Sequence, residues 1–145
     1  MRKTLLSLLS LAMLGFAPAP VFREKPNDPD AVLRRLQGGW RGVSYSQGGK
    51  DIMGGAAFRM QVEKDTWRFF NGTPSRESNS YTISLDTKAN PMRIDWRNGG
   101  THLKGIFVLS GDKLHYSYRQ PDKGYPTSLT APASEDYVIE AKREK

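Results

Sequence analysis

The sequence predicts an all-β fold, a single antiparallel barrel of about eight strands in meander order with a short helix before it. Three observations support this prediction. Apolar and polar residues alternate with a period of two in successive runs of about 5–9 residues. With 145 residues, 37% of them hydrophobic, the chain has enough apolar material for one core. Turn residues separate the runs at Lys64-Asp65, Asn71-Gly72, Asn98-Gly99 and Gly111-Asp112.

Residues 1–19 are expected to be a signal peptide for export. Two basic residues open this segment, residues 5–16 are mostly apolar, and an Ala-Pro-Ala sequence ends it at a plausible cleavage site. Pro18 and Pro20 make the position of cleavage ambiguous. We therefore expect a secreted, periplasmic or cell-envelope protein, with no membrane span in the mature chain if the signal is cleaved.

The rest of the chain divides into a linker and one domain. Residues 20–28 are polar with two prolines and predict a linker. Asp28 can cap a helix that has Pro29 in its first turn, and Gly38-Gly39 would end that helix. Residues 29–145 are then the barrel domain, beginning with this short helix.

The register of three predicted hairpins follows from the parity of their apolar positions, that is, from which alternate residues of each strand share one face. Two-residue turns place apolar residues opposite one another on a shared face, pairing Met60 with Phe69, Ile94 with Leu103, and Phe107 with Tyr116. The connection after Phe70 fails this test, so a longer loop is expected over residues 71–79. A second long loop is expected over residues 120–135, which contain several prolines.

Composition and motifs argue against several classes of function. The absence of cysteine excludes a disulfide scaffold, a thiolate zinc site and a thiol nucleophile. The common hydrolase, zinc-protease and nucleotide-binding motifs are missing from the sequence. His102 and His115 fall about 20 Å apart in the predicted register, too far to share a metal ion. Asp95, which shares its face with Arg93 and Arg97, favours a surface ion pair. We expect no enzyme activity, no cofactor and no metal.

The positive charge of the chain, +7 at neutral pH, raises the alternative of nucleic-acid binding. In the predicted registers the basic residues of the strands lie on the face opposite the aromatic ones, which must form the core. The basic side chains therefore predict a solvated outer surface. We expect no nucleic-acid partner, and the sequence sets no oligomeric state.

The predicted interior supplies candidate ligand-pocket residues. A barrel of eight strands either fills with side chains or holds one small ligand, and the sequence leaves both open. We expect a binding module for a small apolar molecule, and the alternative is a solid structural or interaction module that meets another envelope protein. An enzyme would need a polar cluster at the barrel mouth, where Asp51 and Tyr125 are the first candidates. The pocket candidates are Phe58, Met60, Trp67, Phe69, Tyr81, Ile94, Trp96, Phe107 and Tyr116.

Five short segments carry a family resemblance. They are LQGGW at 36–40, PMRID at 91–95, GIFVLSGDKL at 105–114, YPT at 125–127 and AKR at 141–143. In this order and spacing they resemble a domain family of unknown function in exported proteins of planctomycete bacteria. The resemblance implies a lipocalin-like barrel and no activity. It departs from the family at Tyr125, where arginine is usual, and at Ser117, where cysteine is common.

The first of these segments is also similar to the opening of lipocalins. In that family a tryptophan after a short helix closes one end of the barrel, and a basic residue of the last strand covers it. The similarity implies that Trp40 is the barrel-closing residue here and that Arg143 stacks on its ring.

Overall fold

This computed structural model describes residues 27–72 and 76–145. Within them the chain forms one helix and nine strands, joined by turns and loops. The expected signal peptide and residues 20–26 of the expected linker lie outside the described residues. The elements are α1 (Pro29–Leu36), β1 (Gly38–Gln47), β2 (Lys50–Asp51), β3 (Phe58–Glu63), β4 (Thr66–Asn71), β5 (Arg76–Asp86), β6 (Met92–Asn98), β7 (Thr101–Ser110), β8 (Lys113–Arg119) and β9 (Tyr137–Arg143). Within the described residues, no helix is long and apolar enough to cross a membrane.

The strands close into a barrel. From β3 to β9 each strand pairs antiparallel with the next, and β1 pairs with both β3 and β9. The short strand β2 pairs only with the end of β1. Eight strands therefore form the closed wall, which removes the unpaired edges of an open sheet. The predicted fold class, an antiparallel barrel of about eight strands with one short helix, is confirmed.

The helix α1 packs against one end of the barrel. The Asp28 carboxylate accepts a hydrogen bond from the Ala31 amide at 3.3 Å, and Pro29 occupies the first turn, as the sequence predicts. Val32 and Leu36 are fully buried in the barrel core. We call this the closed end. The opposite end, where β1, β4, β6 and β8 finish, is the open end.

Two of the three predicted hairpin registers are confirmed, and the third is wrong by two residues. Met60 pairs with Phe69, and Phe107 pairs with Tyr116. The third turn uses Gly99-Gly100 instead of Asn98-Gly99, so that Ile94 lies opposite Gly105 rather than Leu103. A Cβ atom on Gly105 would lie 2.6 Å from the indole of Trp96. The observed register thus brings the one β7 residue without a side chain beside the large ring.

The predicted long loop over residues 71–79 is also wrong, because β5 already begins at Arg76. Phe69 pairs with Asn79 while Phe70 pairs with Glu77, which leaves Ser78 as an extra residue. Such a β-bulge shifts the parity of a strand by one residue. The parity test therefore failed at this hairpin although the two strands pair almost to their ends.

Three residues with outward parity are nevertheless buried. Ile106, Ser117 and Val138 are opposite one another across β7, β8 and β9, and their exposed fractions are 2%, 0% and 8%. Ile106 shares a surface crevice with Tyr125 and Pro126 of the loop between β8 and β9. This loop, residues 120–136, therefore packs on the outer face of the barrel and covers part of it.

Replacing Ser117 with alanine is expected to stabilise the fold by about 1 kcal/mol. The Ser117 hydroxyl is buried and has no hydrogen-bond partner among the described residues, so it retains an uncompensated desolvation cost. Urea unfolding measures the change, with Ser84→Ala on an exposed site of β5 as the control. A larger loss of stability for Ser117→Ala than for Ser84→Ala would contradict this account.

Candidate functional site

A cavity of about 140 Å³ lies in the open half of the barrel. Every strand of the closed wall contributes to it, from the segment of the strand that is nearer the open end. Most of its lining is aromatic or aliphatic, with three polar side chains at the rim. The lining residues are Tyr45, Phe58, Phe69, Asn71, Ser78, Asn79, Tyr81, Trp96, Leu103, Tyr116, Tyr118 and Ile139.

Five of the nine predicted pocket residues line this cavity, namely Phe58, Phe69, Tyr81, Trp96 and Tyr116. The other four do not line it. They lie nearer the closed end of their strands and are no more than 1% exposed. Large side chains pack against each other there and leave the closed half of the barrel solid. These four residues are Met60, Trp67, Ile94 and Phe107.

Sequence reasoning missed part of the lining, and Tyr45 is the clearest case. Counting by twos from the buried Trp40 places Tyr45 on the outer face. A bulge at Val43, between the pairs Gly42 with Ala141 and Ser44 with Glu140, reverses the parity and turns Tyr45 inward. The alternation of apolar and polar residues in β1 does not predict this bulge. By contrast, Tyr118 follows Tyr116 at the same parity, and alternation predicts it as a wall residue of the interior.

Aromatic side chains hold the floor and one wall of the cavity in place. The rings of Trp67 and Trp96 meet edge to face with their centroids 5.6 Å apart, and Trp67 meets Tyr116 in the same way at 5.6 Å. Tyr118 stacks on Tyr137 with the rings 4.9 Å apart and 9° from parallel. Contacts of this kind add stability beyond simple burial. The floor and one wall of the cavity are therefore made of aromatic rings that pack on one another.

The hydrogen bonds of the site use only part of its polar atoms. The hydroxyls of Tyr45 and Tyr118 are 2.6 Å apart, and the Tyr116 hydroxyl donates to the Met60 sulfur at 3.1 Å. Among the described residues, the indole nitrogens of Trp67 and Trp96 have no hydrogen-bond partner. In the part of the chain that the structure describes, no acidic or basic side chain lines the cavity.

Burial keeps the tyrosines of the site protonated. Desolvation raises the pKa of Tyr116 well above its ordinary value. Desolvation also raises the pKa of Tyr118, and neighbouring tyrosines raise it further. The pKa of Tyr45 is also raised, because burial of its hydroxyl outweighs the opposing effect of the hydrogen bond with Tyr118. These hydroxyls therefore act as neutral donors and acceptors at physiological pH.

The free energy of unfolding is expected to fall steeply at alkaline pH because of these raised pKa values. Below about pH 10 both states are protonated, so the tyrosines add no pH dependence. Above it the unfolded chain loses tyrosine protons first, and each protonated buried tyrosine contributes a slope of up to about 1.4 kcal/mol per pH unit. Urea unfolding at several pH values measures the slope. Tyr116→Phe should make it shallower, and an unchanged slope in that variant would contradict the account.

The closed end contains the two residues implied by the similarity to lipocalins. The guanidinium carbon of Arg143 lies 4.3 Å from the centre of the Trp40 ring. The Trp40 ring is fully buried, and its indole nitrogen donates to the Leu36 carbonyl at 2.8 Å. Arg143 also donates to the carbonyls of Gln37, at 2.6 Å, and Arg35. Both side chains thus bind the carboxyl end of α1, whose last carbonyls have no partner within the helix.

Neither of the two candidates for a polar cluster at the barrel mouth lines the cavity. The Asp51 carboxylate is exposed and accepts a hydrogen bond from the Met53 amide at 2.8 Å, within a local turn. The Tyr125 hydroxyl donates to Asp95 at 2.8 Å on the outer face of the barrel. Arg93 lies over the Tyr125 ring at 4.6 Å. The loop between β8 and β9 runs over the outer wall and therefore carries Tyr125 away from the cavity.

Asp95 contacts Tyr125 and a histidine. Its carboxylate lies 3.3 Å from the His102 ring nitrogen. Among the described residues there is no group of three or more histidine, aspartate or glutamate side chains that could hold a metal ion.

Comparison with known proteins finds distant similarity to two solved structures. A crystal structure of a mutant of the fluorescent protein UnaG superposes with a TM-score of 0.43 at 10% identity, over 78% of this chain and 99% of that one. Apo lipid binding protein 8 of Caenorhabditis elegans gives 0.40 at 13% identity, over 77% and 96%. No family model and no curated protein matches the chain. The planctomycete resemblance therefore stays a prediction, and the function is argued from the cavity.

Proposed function

We propose that this protein binds one small, largely apolar molecule in the open-end cavity and acts without catalysis. The observation that supports the proposal is a mostly aromatic cavity of about 140 Å³. An engineered apolar cavity of roughly 150 Å³ in another protein holds a benzene molecule. The expected ligand is therefore about the size of a single six-membered ring.

The packed half of the barrel limits the ligand. Trp67, Trp96 and Tyr116 contact one another below the cavity and are each 1% exposed. A long acyl chain would have to displace these rings, and the loss of their packing would cost several kcal/mol. The proposal therefore favours compact molecules over extended lipids.

Export is the second part of the proposal. Residues 1–19 have the pattern of a signal peptide, and this pattern supports a binding protein that works in the cell envelope or outside the cell. Comparison of the mass of the protein purified from an exporting host with that of the full chain tests whether the segment is removed.

Titration with toluene, followed by protein NMR, tests the binding proposal. Saturable shifts are expected for residues around the cavity. Leu103→Trp, which fills the cavity from β7, should abolish them. Val108→Trp is the matched control, because Val108 lies on the same strand with its side chain 44% exposed on the outer face. Phe69→Leu enlarges the cavity and should admit a larger ring such as naphthalene.

The alternative function is a solid structural or interaction module. The packed closed half and the exposed outer valines, Val43 at 54% and Val108 at 44%, favour it. In that case toluene would show no saturable shifts, and the two tryptophan variants would behave alike. That pair of results would overturn the binding proposal.

A further inference from the structure

The hydroxyls of Tyr45 and Tyr118 in the cavity leave one hydrogen-bond donor unused. The hydroxyls of Tyr45 and Tyr118 are 2.6 Å apart, so one of them donates to the other. Each hydroxyl carries one proton, and the pair uses only one of the two. The accepting hydroxyl therefore keeps a proton for a third group, and neither hydroxyl has another partner among the described residues.

The described residues of the lining offer no charge to balance an ionic ligand. They include no lysine, arginine, histidine, aspartate or glutamate. Burial also keeps Tyr45 and Tyr118 protonated, because it raises the pKa of each hydroxyl. Burying an unpaired ionic group costs much more than burying a neutral polar group that gains a hydrogen bond.

We propose that the cavity selects a neutral ring molecule that presents a hydrogen-bond acceptor, such as a carbonyl oxygen, to the Tyr45–Tyr118 pair. This inference rests on the proposed function and names the chemistry of its ligand. The ring of the ligand fills the apolar part of the cavity. Its oxygen accepts the hydroxyl proton that the tyrosine pair leaves unused. Anions and cations of the same size bind more weakly because no lining side chain among the described residues neutralises them.

Four probes with the same ring separate these chemistries. Cyclohexanone supplies a neutral acceptor, and methylenecyclohexane has nearly the same shape without the oxygen. Cyclohexanecarboxylate supplies an anion and cyclohexylammonium a cation. The expected order places cyclohexanone first, with both ions bound at least roughly tenfold more weakly.

The ratio of the affinities for cyclohexanone and methylenecyclohexane measures the hydrogen bond itself. Replacing both tyrosines, Tyr45→Phe with Tyr118→Phe, should reduce this ratio roughly threefold to tenfold. Each single variant keeps one hydroxyl and should keep most of the preference. Tyr125→Phe is the matched control, because Tyr125 lies on the outer face and should leave the ratio unchanged.

The outcomes separate the two proposals. If methylenecyclohexane binds with saturation but the affinity ratio is unchanged in the double variant, the acceptor proposal is overturned and the binding function stands. If either ion binds more tightly than cyclohexanone, the acceptor proposal is likewise overturned and the binding function stands. If neither toluene nor any of the four probes binds with saturation, both proposals are overturned.

Discussion

Replacing Asp136 with alanine is expected to lower the free energy of unfolding by about 3–5 kcal/mol. Asp136 is 0% exposed, and its carboxylate accepts two hydrogen bonds from Arg119 and one from the Ala133 amide at 2.8 Å. The Arg119 side chain is itself only 14% exposed. Removing the carboxylate would leave a mostly buried guanidinium without its main counter-charge, and the loop between β8 and β9 would lose its attachment to the barrel.

A neighbouring acidic residue supplies the control for this prediction. Glu135 lies 4.0 Å from the same Arg119, but its side chain is 53% exposed. Glu135→Ala should therefore change the free energy of unfolding by about 0–1 kcal/mol. Denaturant unfolding of both variants measures the difference. Equal losses for the two substitutions would show that burial of the Asp136 pair does not matter.

The attachment of this loop also affects the open end. The Asp136 carbonyl accepts a hydrogen bond from the Gly48 amide at 3.0 Å, so the same residue joins the loop to the turn between β1 and β2. Tyr137, the next residue, stacks on Tyr118 of the cavity wall. Loss of the Asp136 pair is therefore expected to weaken toluene binding as well as stability.

Replacing Arg143 with alanine is expected to cost about 2–4 kcal/mol of folding free energy. A cation–π contact contributes about 0.5–2 kcal/mol, and a hydrogen bond that involves a charged group contributes about 1.5–3 kcal/mol. Arg143 makes one such contact, with Trp40, and hydrogen bonds to the carbonyls of Arg35 and Gln37. The substitution would leave the carboxyl end of α1 without these donors.

The choice of variants tests the geometry of this contact. Arg143→Lys keeps the charge but loses the planar fork that reaches two carbonyls while stacking on a ring, so it should recover only part of the loss. Lys142→Ala, at an exposed neighbouring position on β9, should change stability by less than about 0.5 kcal/mol. Full recovery by lysine would mean that charge alone matters at this site.

Prediction from sequence succeeded where a pattern depends on near neighbours. Alternation in β3 and β4 placed Met60 opposite Phe69 correctly, because two short strands and a tight turn leave few other registers. Alternation failed for Ile94, because the partner of this residue depends on which two residues form the turn between β6 and β7. The two turns, Asn98-Gly99 and Gly99-Gly100, keep the same parity. The close approach of Trp96 to Gly105 favours the observed turn.

The same distinction applies to the candidate site. Phe58, Phe69, Tyr81, Trp96 and Tyr116 line the cavity and were named from alternation alone. Tyr45 was missed because the bulge at Val43 leaves no trace in the local pattern. Tyr125 was placed at the mouth because sequence gives no direction for a long loop.

By itself, the amino-acid sequence determined which side chains face inward along most strands and that the strands follow one another around a closed wall. These properties depend on a two-residue period and on turns between adjacent strands. Only the tertiary structure decided that one half of the barrel is solid, that the other half holds a cavity, and that a loop covers Ile106, Ser117 and Val138. The physical reason is that bulges and packing volumes arise from contacts between residues far apart in the chain, which alternation along one strand does not record.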